Sequence, residues 1–191
     1  MDNKKVYIAG ALTHATQPKE IRQFYEQIGE ICAKLGCNPY IPHLVTDPCV
    51  HREFSPQEVF QKDKAEVLSS SLLIAYVGET SIGVGIEIAF AESANIPIIM
   101  IYEKGVEVSR FARGAPTIVA EIIYSSKLDA LLQLFKTIAK HYNLSIEGRI
   151  GKHEILSLLS FSNRVVKSSW ISALKNLKVR WANNLIPKLS Q

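Results

Sequence analysis

The sequence predicts an α/β protein: an open, Rossmann-like parallel sheet of about five strands with helices on both faces, followed by a C-terminal helical extension. Three observations predict it. Short apolar runs alternate with stretches of helical periodicity over roughly the first 140 residues, the signature of repeated strand–helix units. Residues 72–77 (LLIAYV) and 96–102 (IPIIMIY) are apolar without alternation, as strands covered on both faces are. Glycine, serine and proline stand at the joints between these segments, where chains stop and restart.

The elements follow in order. Lys5–Ala9 (KVYIA) reads as a first strand ending at Gly10. Residues 18–35 carry Ile21, Phe24, Tyr25, Ile28, Ile31, Cys32 and Leu35 at helical spacing, stopped by Gly36. A short second strand over 37–41 leads into a loop over 42–54. Ser55-Pro56-Gln57-Glu58 combines an N-cap serine, a proline at the first helical position and a glutamate three residues after the cap, so a helix starts there and runs to about Ser69. The strand at 72–77 is followed by a loop over 79–84, a helix over 85–94 and the strand at 96–102. A fifth strand at 120–124 and a helix at 128–142 complete the unit. A flavodoxin-like strand order is expected, with ligands beyond the carboxyl ends of the strands, where the loops 10–17, 42–54 and 78–85 lie.

Composition bounds the function. The chain has 191 residues, 47% hydrophobic and 21% charged, which suits one globular domain, 1–145, and an appendage, 146–191. Its apolar runs are too short to span a membrane. Lys4 and Lys5 before residues 6–12 loosely mimic a leader, but a buried first strand explains that run better. The cysteines Cys32, Cys37 and Cys49 are odd in number and lack metal-ligand spacing, which fits a reducing cytoplasm. Charge is divided unevenly. Residues 151–191 hold seven Lys/Arg against Glu154 alone, a net +6, whereas the rest holds 15 basic and 17 acidic groups, a net −2. The apolar positions of that segment, Trp170 and Trp181 among them, fall at roughly helical spacing. It reads as a helical appendage packed on its own domain or dimer mate, or as a surface for a partner protein or an anionic membrane. No nucleic-acid-binding motif is visible in it.

The chemistry concentrates near Ser81-Ile82-Gly83-Val84-Gly85-Ile86-Glu87. The two glycines allow close backbone approach, and amides at a helix start favour anions. The dinucleotide fingerprint fails, because Ile88 stands where a third small residue is needed and the loop follows the third strand. No nicotinamide cofactor is expected, and no His/Cys/Asp cluster calls for a metal. Glu87 lies in the first turn of an otherwise apolar helix. It can simply complement the helix dipole, or it can be a catalytic carboxylate. Asp63, in Gln61-Lys62-Asp63-Lys64, reads as an exposed helical aspartate unless it faces the cleft. In that case two carboxylates meet at the mouth of one sheet, the arrangement glycosidic cleavage requires. His43 and Tyr7 remain open between structural and catalytic roles.

Taken together, Tyr7-Ile8-Ala9-Gly10-Ala11-Leu12, Asp63 ahead of a strand, and residues 81–91 (SIGVGIEIAFA) resemble the nucleoside 2-deoxyribosyltransferase superfamily over about residues 4–140. Within it, the Ser-x-Gly-Val-Gly-x-Glu spelling and residues 109–115 (SRFARGA) resemble the 2'-deoxynucleoside 5'-phosphate N-hydrolases. The resemblance implies Glu87 as the nucleophile at C1', Asp63 as the group handling the leaving base's proton, and Tyr7 as the residue orienting Glu87. It implies Gly10, Ala11 and Leu12 around base and sugar, His43 near the base, Ser81 and Gly83 at a 5'-phosphate, and Ser109 reaching the neighbouring subunit's phosphate in a homodimer. No cofactor is implied. Where that branch places an arginine, this chain has Thr13 and His14, so a phosphate cation would have to come from elsewhere, Arg110 or Arg113 being candidates. The expected activity is hydrolysis of (2'-deoxy)nucleoside 5'-monophosphates to free base and sugar phosphate. The alternatives are base exchange between deoxynucleosides and a nucleotide sensor without turnover.

Overall fold

The computed structural model describes residues 4–13, 16–47, 51 and 53–144. The extension expected over 146–191, its proposed contacts, His14 and Cys49 lie outside them. Five parallel strands, β1 (Lys5–Ala9), β2 (Asn38–Tyr40), β3 (Leu72–Tyr76), β4 (Ile98–Glu103) and β5 (Ile118–Tyr124), form one sheet in the order β2-β1-β3-β4-β5. This is the flavodoxin-like order expected, with every neighbouring pair parallel.

The helices are α1 (Pro18–Lys34), α2 (Pro56–Leu68), α3 (Ile82–Ser93), α4 (Arg110–Arg113) and α5 (Lys127–His141). Side chains alternate across the sheet, so each strand serves two cores. Tyr7, Ala9, Leu73, Ala75, Ile98 and Met100 pack with Val67 of α2 and with Val84, Ile88 and Ala91 of α3. On the other side α1 packs on α5, and Phe24 of α1 meets Tyr76 and Tyr124 edge-on or tilted. β3 is buried along its whole length, which explains its unbroken apolar spelling.

Local chemistry fixes the ends. Gly36 takes φ +77 just past α1, a conformation that costs a side-chain-bearing residue about 1 kcal/mol or more. At α2 the Ser55 hydroxyl accepts from the Glu58 backbone N–H while the Glu58 carboxylate accepts from the Ser55 N–H at 2.8 Å, the reciprocal cap read from the sequence. Cys32 and Cys37 are buried free thiols.

Three features differ from expectation. α3 begins at Ile82, three residues earlier than predicted, because Ser81 is its N-cap and accepts from the Val84 N–H at 3.4 Å. The glycines read as loop are therefore helical. The stretch 42–54 opens with a 3-10 turn at Pro42–Leu44, and residues 110–113, left unassigned, form a short helix capped by Ser109.

Candidate active site

A cavity of about 670 Å³ opens beyond the carboxyl ends of β1, β2 and β3. Gly10, Leu12 and Thr13 line it from the loop after β1, Pro42 and Thr46 from the turn after β2, Asp63 and Lys64 from α2, and Ser81, Gly83, Ile86 and Glu87 from α3. Phe54, Phe60 and Phe90 add aromatic walls, with Lys64 Nζ 4.9 Å from the centroid of the Phe90 ring. Flat apolar walls interrupted by a few acids suit a heteroaromatic base attached to a polar sugar.

Glu87 is the centre of this cleft. The fully buried Tyr7 donates its hydroxyl to Glu87 Oε1 at 2.6 Å, while Oε2 is buried and has no hydrogen-bond partner. Burial pushes the Glu87 carboxyl up to about 8. The bond from Tyr7 pulls it down and the charge of Asp63 adds to the rise. A dipole-complementing glutamate on an open helix face would not sit in this environment. A buried carboxyl oxygen without a partner costs free energy, roughly 1–3 kcal/mol, and such groups cluster where a ligand supplies the missing contact.

Asp63 faces the cleft as well. It accepts from the Tyr40 hydroxyl at 3.1 Å on Oδ1 and from the Thr46 hydroxyl at 3.3 and 3.2 Å on its two oxygens. Burial raises its carboxyl above the usual range, and these two hydrogen bonds only partly offset that. The reading of Asp63 as an exposed aspartate in a charged run therefore fails, because α2 turns it inward against β2.

The other anticipated residues divide. Gly10, Leu12, Ser81 and Gly83 line the cavity. Ala11 is buried and uses its carbonyl to accept from Tyr25 at 3.3 Å. His43 is not among the described lining residues. It is buried against α1, with Nε2 3.0 Å from Glu26 Oε1 and Nδ1 unpartnered. Ser109 lines a second cavity of about 790 Å³, between α3 and α4, which shares Ser81 and Val84 with the first. Arg113 is paired to Glu121 at 2.9 Å, and Arg110 lines the second cavity. Lys64 is the lysine or arginine among the described residues lining the first. Tyr40 and Thr46, which hold Asp63, were not singled out from the sequence. Neither stands in a local pattern, and each acts through a partner 17 or more residues away.

Among the described residues no group of three or more His, Cys, Asp or Glu side chains could hold a metal. No helix among them is long and apolar enough to cross a membrane.

No protein-family model matches the chain. It is similar to two curated proteins that share the name "Putative 2'-deoxynucleoside 5'-phosphate N-hydrolase 1". That from Syntrophotalea carbinolica is 38% identical over 79 residues, covering 40% of this chain and 52% of the relative. That from Methanosarcina mazei is 27% identical over 135 residues, covering 69% of this chain and 81% of the relative. The chain thus matches about half the length of the first and four-fifths of the second. Among solved structures, the CMP N-glycosidase BcmB of Clostridium botulinum superposes with a TM-score of 0.57 at 20% identity, covering 70% of this chain and 99% of that one. At that identity the likeness shows the fold. The resemblance read from the sequence is thereby borne out: the chain is similar to proteins named as nucleoside 5'-phosphate N-hydrolases and shares the fold of an N-glycosidase.

Proposed function

We propose that this protein is an N-glycosidase that hydrolyses (2'-deoxy)nucleoside 5'-monophosphates to free base and sugar 5-phosphate. The observation that carries the reading is Glu87: one oxygen held by Tyr7, the other buried without a partner, in a cavity shared with Asp63.

The chemistry follows from that pair. A Glu87 oxygen attacks C1' and forms an ester as the C1'–N bond breaks. The electron pair leaves with the base, which takes the Asp63 proton. Water then adds at C1', giving its proton to the Asp63 carboxylate and releasing Glu87 as carboxylate. Burial holds the Glu87 carboxyl up at about 8, so the attacking form is the ionised fraction, which has given its proton to solvent before the bond to C1' forms. Positive charge developing on the sugar ring in the transition state favours the carboxylate, so stabilisation appears where the barrier is highest. Phosphate recognition is assigned to Ser81 and Gly83, at the first turn of the 12-residue α3, whose leading N–H groups point away from the helix. The same reading makes the protein a cytoplasmic homodimer. The homodimer part is supported by Ile82 and Phe111, 84% and 95% exposed, Phe111 lining the second cavity.

The test is a chromatographic assay of the four deoxynucleoside monophosphates, their ribose counterparts and the free nucleosides, run with wild type and Glu87→Ala. Wild type is expected to release base from a monophosphate, and the variant to lose at least a thousandfold. Equal, slow release from both would remove the hydrolase reading. Incorporation of an added labelled base into nucleoside would instead establish base exchange, and binding without release would establish a sensor.

A further inference from the structure

Tyr7 and Tyr40 are register partners on adjacent parallel strands, and their rings stack with centroids 5.4 Å apart and planes 21° from parallel. Neighbouring strands lie about 4.8 Å apart, so same-face aromatic residues at one register position are brought into this contact. From the stacked pair the two hydroxyls diverge. That of Tyr7 meets Glu87 on α3, and that of Tyr40 meets Asp63 on α2.

Building on the N-glycosidase reading, we propose that Tyr40 is a positioning residue for the leaving-group acid: stacked on Tyr7, it fixes Asp63 through Oδ1 while Thr46 reaches both carboxyl oxygens.

The hydrogen-bond arithmetic supports a group that must cycle between acid and carboxylate. With Tyr40 donating to Oδ1, a proton added to Asp63 is favoured on Oδ2. The Thr46 hydroxyl has one hydrogen and two kinds of acceptor in reach, Asp63 and the Pro42 carbonyl at 3.1 Å. It donates to Asp63 when that group is charged and turns to Pro42 when it is neutral. No buried polar group is left stranded in either state, so the change costs little beyond the proton itself. The stack supplies rigidity: both hydroxyls hang from paired positions of one sheet, so the two acids keep a common reference.

The test uses the full chain and Tyr40→Phe, which keeps the ring and its stacking but removes the hydroxyl. Two readouts are taken. The first is the titration midpoint of Asp63, followed by carboxyl 13C NMR without substrate. It is expected to rise by about one pH unit, the equivalent of one lost hydrogen bond to a charged group. The second compares a deoxynucleoside 5'-monophosphate with p-nitrophenyl 2-deoxyribofuranoside 5-phosphate, whose leaving group departs without a proton. The variant is expected to lose about tenfold in kcat on the nucleotide and several-fold less on the nitrophenyl substrate, with KM little changed. Thr46→Val should also raise the midpoint, and Thr46→Ser should restore it. An unmoved midpoint in Tyr40→Phe overturns the inference, as does an equal loss on both substrates, which would mark Tyr40 as merely structural. If the wild type consumes neither substrate, the N-glycosidase reading falls, while the midpoint still decides whether Tyr40 controls Asp63.

Discussion

The Tyr7 hydroxyl lies 2.6 Å from Glu87 Oε1, joining the middle of the first strand to a helix that begins 75 residues later in the chain. A hydrogen bond to a carboxyl this short stabilises the charged form more than a neutral pair would. It works against burial, which holds the same carboxyl up at about 8. Burial is the larger effect, so the protein keeps a poised acid at this position and relies on Tyr7 to bring its ionisation within reach of neutral pH.

Removing that hydroxyl should shift the balance. In Tyr7→Phe the Glu87 carboxyl loses the one hydrogen bond that lowers it, so its ionisation moves about one pH unit higher. On the nitrophenyl substrate, kcat/KM of the wild type should rise with pH through about 8 as Glu87 ionises. The variant should follow the same curve displaced upward, about tenfold slower at pH 7 and closer to wild type at high pH. A pH–rate series checks this, and a deficit that stays constant across the range would refute it.

Stability should respond with the opposite sign to an ordinary salt-bridged acid. Below the usual carboxyl range Glu87 is protonated both folded and unfolded, and contributes no pH dependence. Between that range and about 8 the unfolded chain ionises while the folded one does not, so stability falls steadily as pH rises through this window. Glu87→Gln keeps an acceptor for Tyr7 and removes the titration. Relative to wild type it should gain little at pH 4 and a few kcal/mol at pH 8.5. Urea unfolding at the two pH values measures this, and a gain equal at both would show that the carboxyl is not held protonated.

Gly10 marks a close approach of backbone to ring. A Cβ there would overlap the Tyr25 side chain, which is fully buried and uses its hydroxyl on the Ala11 carbonyl. Gly10→Ala should therefore destabilise by roughly 1–3 kcal/mol, with the loop toward Leu12 displaced and substrate binding weakened. Thermal unfolding beside KM for the monophosphate tests both parts. Unchanged stability would mean that Tyr25 yields without cost.

Much of the scaffold was legible in the sequence because its signals are local. The unbroken apolar spelling of β3, the Ser55–Glu58 cap and Gly36 after α1 each depend on neighbours within a few residues, and each forms as read. The start of α3 was misplaced for a related reason: Gly83 and Gly85 suggest a loop, and the serine that caps the helix outweighs them. Glu87 drew notice as a charge in an apolar helix. Asp63 was marked as a candidate by the family resemblance, since Lys62 and Lys64 make its surroundings look exposed.

By itself the sequence determined the alternation of strands and helices, the apolar faces that build the sheet, and a carboxylate near the start of the helix after β3, read in its first turn and found in its second. Only the tertiary structure decided that Asp63 turns inward, that Tyr40 and Thr46 hold it, and that His43 is buried beside Glu26 and is not among the residues lining the cleft. The physical reason is range. Helical periodicity and caps are set by residues a turn apart, whereas a carboxyl's partners are chosen by strand order and register, which bring together side chains from distant parts of the chain.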